Sequence, residues 1–133
     1  MAGLYIDTSA LVRVLLAEPD AVAIRATLAR HNVWWSSQLL VVELRRLAAR
    51  EGLVPAAERL LSALRLVAID SESLERASRL APMEVRSLDA IHLEAAVGLL
   101  GRGEVVAVLT YDRQLQTGCA HHLVPVEAPT AAK

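Results

Sequence analysis

Val105-Val106-Ala107-Val108-Leu109, the most continuous apolar strand-like run in the chain, follows Gly101-Arg102-Gly103-Glu104 and gives way to Thr110-Tyr111-Asp112. Apolar residues without polar alternation read as a strand covered on both faces, the habit of parallel sheets flanked by helices. Immediately upstream, Ser87 to Leu100 is a helical pattern that is apolar around most of its circumference and stops at the two glycines. A helix feeding such a strand is half of a right-handed βαβ crossover.

Outward from that stretch the same grammar repeats. Leu4-Tyr5-Ile6 is a short strand ending at Asp7, and Ser9 opens a helix through Leu16 that stops at Glu18-Pro19-Asp20. A second helix covers about Ala21 to Arg30, Val33-Trp34-Trp35-Ser36 is a strand, and Ser36 or Ser37 caps a helix from Leu39 to Arg50 that Gly52 ends. Pro55 suits the first turn of a helix to about Leu64, Leu66-Val67-Ala68-Ile69 is a strand, and Asp70 or Ser71 caps the helix after it. Beyond Leu109, the pattern predicts a short helix from Tyr111 to Gln116 and a last edge strand, Leu123-Val124-Pro125-Val126, where a proline is tolerated. Residues from about 128 to Lys133 read as a frayed tail. Together these predict one α/β domain over residues 1–133, three-layered around a central parallel sheet, with no linker and no repeat.

At 133 residues, 54% hydrophobic and 22% charged, the chain has ample material for a core and none of the composition of a disordered segment. Its apolar runs are broken early, as by Arg13 between Val12 and Val14, so none approaches the ~20 residues of a spanning helix. The first residues have no basic lead-in and carry Asp7 within the first apolar segment, which predicts a cytosolic protein and no membrane. Cys119 is the one cysteine, so neither an internal disulfide nor a cysteine metal site can form. Net charge is −1 and the isoelectric point about 6.4, which neither supports nor excludes a nucleic-acid partner. Of the 14 Lys+Arg residues only Lys133 is lysine; guanidinium suits phosphate, and a GC-rich genome gives the same bias.

In open parallel α/β sheets, ligands sit beyond the carboxyl ends of the strands. Asp7 directly follows the first strand, and Asp112 follows the Val105–Leu109 strand by three residues. Asp89 stands near the start of an apolar helix, and Glu43 lies in Leu39-Leu40-Val41-Val42-Glu43-Leu44, where little helix surface faces solvent. A lone buried carboxylate is costly unless paired or metal-bound. Each acid also has a structural explanation: Asp7, Asp89 and Asp112 as helix caps, Glu43 as the partner of Arg46 or Arg50. Four such acids at strand ends and helix starts are harder to explain by caps alone. His92, one turn from Asp89, is placed to help hold it but reads first as a satisfied core or groove histidine, and His121-His122 have no acid beside them in the sequence. Trp34 and Trp35 face opposite ways on one strand; one of them can stack on a base. Arg45, Arg46, Arg86 and Arg113 flank the acidic stretches and are candidate phosphate contacts.

Tyr5-Ile6-Asp7-Thr8-Ser9-Ala10-Leu11, Ser36 to Leu44, Ser87 to Ala96 and Leu109-Thr110-Tyr111-Asp112-Arg113-Gln114-Leu115 resemble, in order and separation, the four acidic motifs of PIN-domain ribonucleases, and among these the VapC toxins of bacterial toxin–antitoxin pairs. The resemblance covers nearly the whole chain. It implies a PIN-like α/β/α fold and a site of Asp7, Glu43, Asp89 and Asp112 around Mg²⁺ or Mn²⁺. It further implies hydrolysis of RNA, a small cognate antitoxin and a homodimer. Hard cations taking carboxylate and water oxygens suit that set of acids. Asp7 and Asp89 are then expected as direct ligands, Asp112 as a direct or water-mediated one, and Glu43 as a ligand or the group orienting the attacking water. The hydroxyls of Thr8, Ser9 and Thr110 are placed to fix the acids' rotamers, or merely to cap helices.

Two other readings compete. A Mg²⁺-dependent phosphatase with an aspartate nucleophile wants a second aspartate two residues on, where Ser9 stands. A non-catalytic module that binds RNA or a partner has no need of all four acids.

Overall fold

The computed structural model describes residues 3–131. In chain order the elements are β1 (Gly3–Ile6), α1 (Thr8–Leu15), α2 (Ala21–Ala29), β2 (Trp34–Ser37), α3 (Gln38–Glu51), α4 (Val54–Ser62), β3 (Arg65–Val67), α5 (Ser71–Arg79), α6 (Ser87–Gly101), β4 (Val105–Leu109), α7 (Arg113–His121) and β5 (Val126–Glu127). The strands form one parallel sheet in the order β3-β2-β1-β4-β5. β1 is central, and the chain leaves it to one side for β2 and β3 and to the other for β4 and β5.

Both faces of the sheet are covered. Leu4 and Ile6 of β1, with Ala107 and Leu109 of β4, pack under α1, α2, α3 and α4 through Leu11, Ile24, Leu40, Leu44 and Leu61. Tyr5, Val105 and Val108 face the other way, against Leu93 and Leu99 of α6 and Leu115 and Cys119 of α7. Side chains of a strand alternate between faces, so Tyr5 belongs to the second layer and its neighbours to the first. Trp34 and Trp35 split likewise between the two cores, both half-buried.

β4 departs from the expectation at one residue. Gly3 pairs with Val105 but Leu4 with Ala107, so a bulge falls at Val106, which is 44% exposed. The extra residue also puts Val105 on the same face as Val108. The edges differ too. β3 lies earlier than expected, at Arg65–Val67, and Leu66 is exposed, because an edge strand shows its side chains to water. Val124 sinks into the second core while Leu123 turns outward with φ 58, leaving only Val126 and Glu127 in β5. The helix after β4 extends to His121, since Asp112 starts it with a side-chain cap on the Leu115 N–H. The segment after Glu127 is tied at two points: the Tyr111 hydroxyl donates to the Pro129 carbonyl, and Ala131 N–H donates to Asp20. The end of the expected frayed tail, at Lys133, lies outside the described residues. Among the described residues no helix is long and apolar enough to cross a membrane.

Gly118 sets the spacing of α6 and α7, the helices nearest Asp89 and Asp112. A Cβ there would stand 2.6 Å from Leu93 Cδ2. Only a residue without a side chain lets the two helices approach this closely.

Candidate functional site

Asp7 ends β1 and caps α1, and its backbone N–H donates to the Leu109 carbonyl at 3.0 Å, so the carboxyl ends of β1 and β4 are locked side by side. This is where the strand order reverses, the crevice in which open α/β sheets bind ligands. Ser36 Oγ, from β2, donates to the Ile6 carbonyl at 2.7 Å and fixes the third strand end, while Ser37 caps α3, the helix that carries Glu43.

The Asp7 carboxylate is 4% exposed and its two oxygens are treated differently. Oδ2 accepts from Ser9 Oγ at 2.7 Å, Thr110 Oγ1 at 2.9 Å and Ser9 N at 3.3 Å. Oδ1 faces His92 Nε2, at 3.4 Å. Glu43 does not pair with Arg46 or Arg50: its Oε1 accepts from Thr8 Oγ1 at 2.5 Å and stands 3.1 Å from His92 Nε2. Burial pushes the Glu43 carboxyl upward, but the bonds from His92 and Thr8 outweigh it and hold the group below the usual range. Of the hydroxyls read from the sequence, Thr8 therefore serves Glu43, and Ser9 and Thr110 serve Asp7.

Asp89 lies in the first turn of α6 and makes no cap. Burial, then the charges of Asp112 and Asp7 and hydrogen bonding with Asp112, push its carboxyl up to about 7, against a smaller opposing pull from His92. Asp112 caps α7, as one reading of it expected, and also stands against Asp89. Asp89 thus senses both Asp112 and Asp7, and Glu43 meets Asp7 through His92.

Of two further members of this network, Tyr5 carried no site role in the sequence reading and His92 only a secondary one, as a group able to help hold Asp89. His92 is 1% exposed and is raised: burial alone would lower it, but the Glu43 bond and the charges of Asp7, Glu43 and Asp89 prevail. Tyr5 is wholly buried, its hydroxyl 2.7 Å from His92 Nδ1, and burial raises its pKa well above the ordinary phenol value. The signal for both was positional: Tyr5 lies two residues before Asp7, on the same face of β1, and His92 one helical turn after Asp89. The arginines divide. Arg45 is engaged by Glu58 at 2.8 and 2.9 Å, which takes it out of the set of free phosphate contacts, whereas Arg46, Arg86 and Arg113 are exposed and form no ion pair among the described residues.

Among the described residues no three Asp, Glu, His or Cys side chains already stand as a finished metal cage. The donors nevertheless suit a hard divalent cation: carboxylates crowd together, and one of them keeps a proton to about pH 7 where no cation offsets the charge.

A parallel three-layer sheet with acids gathered at the switch point of its carboxyl edge defines the class of protein: a family model described as the PIN domain matches residues 4–118. Ribonuclease VapC47 of Mycobacterium tuberculosis is 37% identical over 123 residues, covering 87% of this chain and 89% of that protein. Ribonuclease VapC46 from the same species is 36% identical over 135 residues, covering 98% and 100%. The chain belongs to the PIN-domain family, within its VapC branch. Solved structures share the fold at low identity. A toxin-antitoxin complex from Klebsiella pneumoniae superposes with a TM-score of 0.74 at 20% identity, covering 98% of this chain and 100% of that one. Mycobacterium tuberculosis VapC20, described as a Sarcin-Ricin loop cleaving toxin, gives 0.68 at 17% identity, covering 86% and 94%.

Proposed function

We propose that the chain is a divalent-metal-dependent endoribonuclease, with Asp7, Glu43, Asp89 and Asp112 as its catalytic acids, acting as the toxin of a toxin–antitoxin pair. The observation that carries this reading is the crowding of Asp89 with Asp112 and Asp7 at the carboxyl edge, which keeps the Asp89 proton to about pH 7. Family membership supplies the substrate class, since the curated relatives are named ribonucleases.

Asp7, Asp89 and Asp112 would hold Mg²⁺ or Mn²⁺, with Glu43 as a further ligand or as the group that orients the attacking water. Such an ion supplies a water of lowered pKa and offsets charge on the phosphate and the departing 3′ oxygen. The chain's own contribution is preorganisation. Three donors fix Asp7 Oδ2 while Oδ1 faces His92 Nε2, and Thr8 with His92 fixes Glu43 Oε1, leaving Oε2 without a hydrogen bond among the described residues. Arg46, Arg86 and Arg113 are the exposed cations for backbone phosphates.

For the antitoxin, the fold offers a groove of about 380 Å³ between α1, α2 and α4. Leu11, Leu28, Leu60 and Leu64 line it and Arg25 and Arg59 stand at it, features that suit an amphipathic, acidic helix.

Purified protein is expected to cleave RNA with Mg²⁺ or Mn²⁺ and to lose that activity in EDTA, leaving 5′ phosphate and 3′ hydroxyl ends. Asp7→Asn and Asp89→Asn should each reduce cleavage by at least about a hundredfold, in line with the loss of an electrostatic group that acts in the transition state. Full-rate cleavage in chelator, or cyclic phosphate ends, overturns the mechanism.

A further inference from the structure

We propose that Tyr5 and His92 form a buried positioning pair that holds Glu43 in the acidic site, His92 acting from α6 on a carboxylate carried by α3. The proposal rests on the endoribonuclease reading above and adds to the four acids a fifth and a sixth side chain that touch neither substrate nor metal.

The geometry fixes the arrangement of hydrogens. His92 Nε2 faces Glu43 Oε1 at 3.1 Å and Asp7 Oδ1 at 3.4 Å. Ionised carboxylates only accept, so Nε2 carries the hydrogen. The Tyr5 hydroxyl stands 2.7 Å from Nδ1 and meets it in either state of the ring, donating to a neutral ring and accepting from a protonated one. The carboxylates set the hydrogen on Nε2, and the buried phenol, bonded to Nδ1, holds the ring so that this donor is aimed at the site. The ring itself is wedged edge-on against Tyr5, at 5.8 Å between centroids and 74° between planes.

The placement is unusual for a core histidine satisfied for its own sake. α3 packs on one face of the sheet and α6 on the other, yet His92 reaches past the carboxyl ends of the strands to a residue of the opposite layer. Thr8 Oγ1 anchors the same Glu43 oxygen from below. Glu43 is thus gripped through one oxygen, and its side chain is still 30% exposed, as a group that must meet a ligand requires. A free glutamate has three torsions to immobilise on binding; one held in advance has lost that freedom already.

The test uses three variants, His92→Leu, His92→Gln and Tyr5→Phe, with two readouts: Mn²⁺ affinity from the resonance signal of free Mn²⁺, and steady-state RNA cleavage. Loss of an outer group that orients a ligand typically costs about 10–100-fold in metal affinity or activity. His92→Leu should therefore weaken Mn²⁺ binding at least about tenfold and lower kcat, leaving KM for RNA unchanged. Gln can place an amide N–H where Nε2 stood, so His92→Gln should recover most of the loss. Tyr5→Phe removes the hydroxyl that anchors Nδ1, loosens the ring's orientation and should lower kcat without moving KM. A purely structural histidine predicts lower melting temperatures but wild-type Mn²⁺ affinity and kcat in the folded protein. That result in His92→Leu overturns the proposal; if His92→Leu does not fold, the same result in Tyr5→Phe does so. Wild-type protein that neither binds Mn²⁺ nor cuts RNA overturns the endoribonuclease reading as well, whereas active wild type with indifferent variants overturns this inference alone.

Discussion

Asp7 and Glu43 share a design visible only atom by atom: hydroxyl donors are gathered on one carboxylate oxygen of each, and His92 Nε2 stands against both groups. Asp89 lacks such donors and stands against other acids, so it carries the electrostatic cost. Its folded-state carboxyl holds a proton to about pH 7, whereas in the unfolded chain the proton leaves near the ordinary aspartate value of 3.8. Between those two values the folded state binds more protons, so stability falls as pH rises through the window. The contribution is fully present below pH 4 and gone above about 7. In EDTA at pH 8, Asp89→Asn should raise the melting temperature by a few degrees, with no gain at pH 4. Allowing for solvent screening of a partly exposed group, the gain is on the order of 1 kcal/mol. Saturating Mn²⁺ should then stabilise wild type more than the variant. Melts at two pH values, with and without Mn²⁺, read this directly; a variant destabilised in EDTA at pH 8 would remove Asp89 from the crowded cluster.

At the scale of elements, the site depends on how α6 and α7 are held together. The absence of a side chain at Gly118 lets α7 settle against Leu93. Gly118→Ala should cost roughly 1–3 kcal/mol through overpacking. Leu93→Ala alone should cost roughly 2–5 kcal/mol by leaving a cavity. The two together should cost less than their sum, because each supplies the room or the filling that the other lacks. Denaturant titrations of the three variants give the coupling, and strict additivity would mean that Leu93 and Gly118 are not in contact. The helix starts were legible from the sequence because Ser37, Asp70 and Asp112 are caps, and a cap is a local matter of one side chain and the backbone N–H groups just after it. The bulge at Val106 was not, since it arises from the register of β4 against β1.

For the whole molecule, the acids at the carboxyl edge and the groove between α1, α2 and α4 are separate surfaces, and each has its own test. Expression alone should arrest growth, while Asp7→Asn should be tolerated. A co-expressed cognate antitoxin should co-purify, and the double substitution Arg25→Glu and Arg59→Glu should weaken that capture about tenfold or more, on the scale of two lost charge pairs at an interface. RNA cleavage by the charge-reversed protein should remain near wild type; undiminished capture would move the antitoxin off this groove.

The parallel α/β order, and the placing of acids at strand ends and helix starts, follow from the sequence by itself, because burial period, caps and the position of a residue just after a strand are local properties that neighbouring residues express. What only the tertiary structure decided is who meets whom. Thr8 to Glu43, Thr110 to Asp7 and His92 to both Glu43 and Tyr5 are contacts between elements 35 to 103 residues apart. Strand order and helix packing fix such distances, so a histidine that reads locally as one more buried residue of an apolar helix becomes the bridge between two layers.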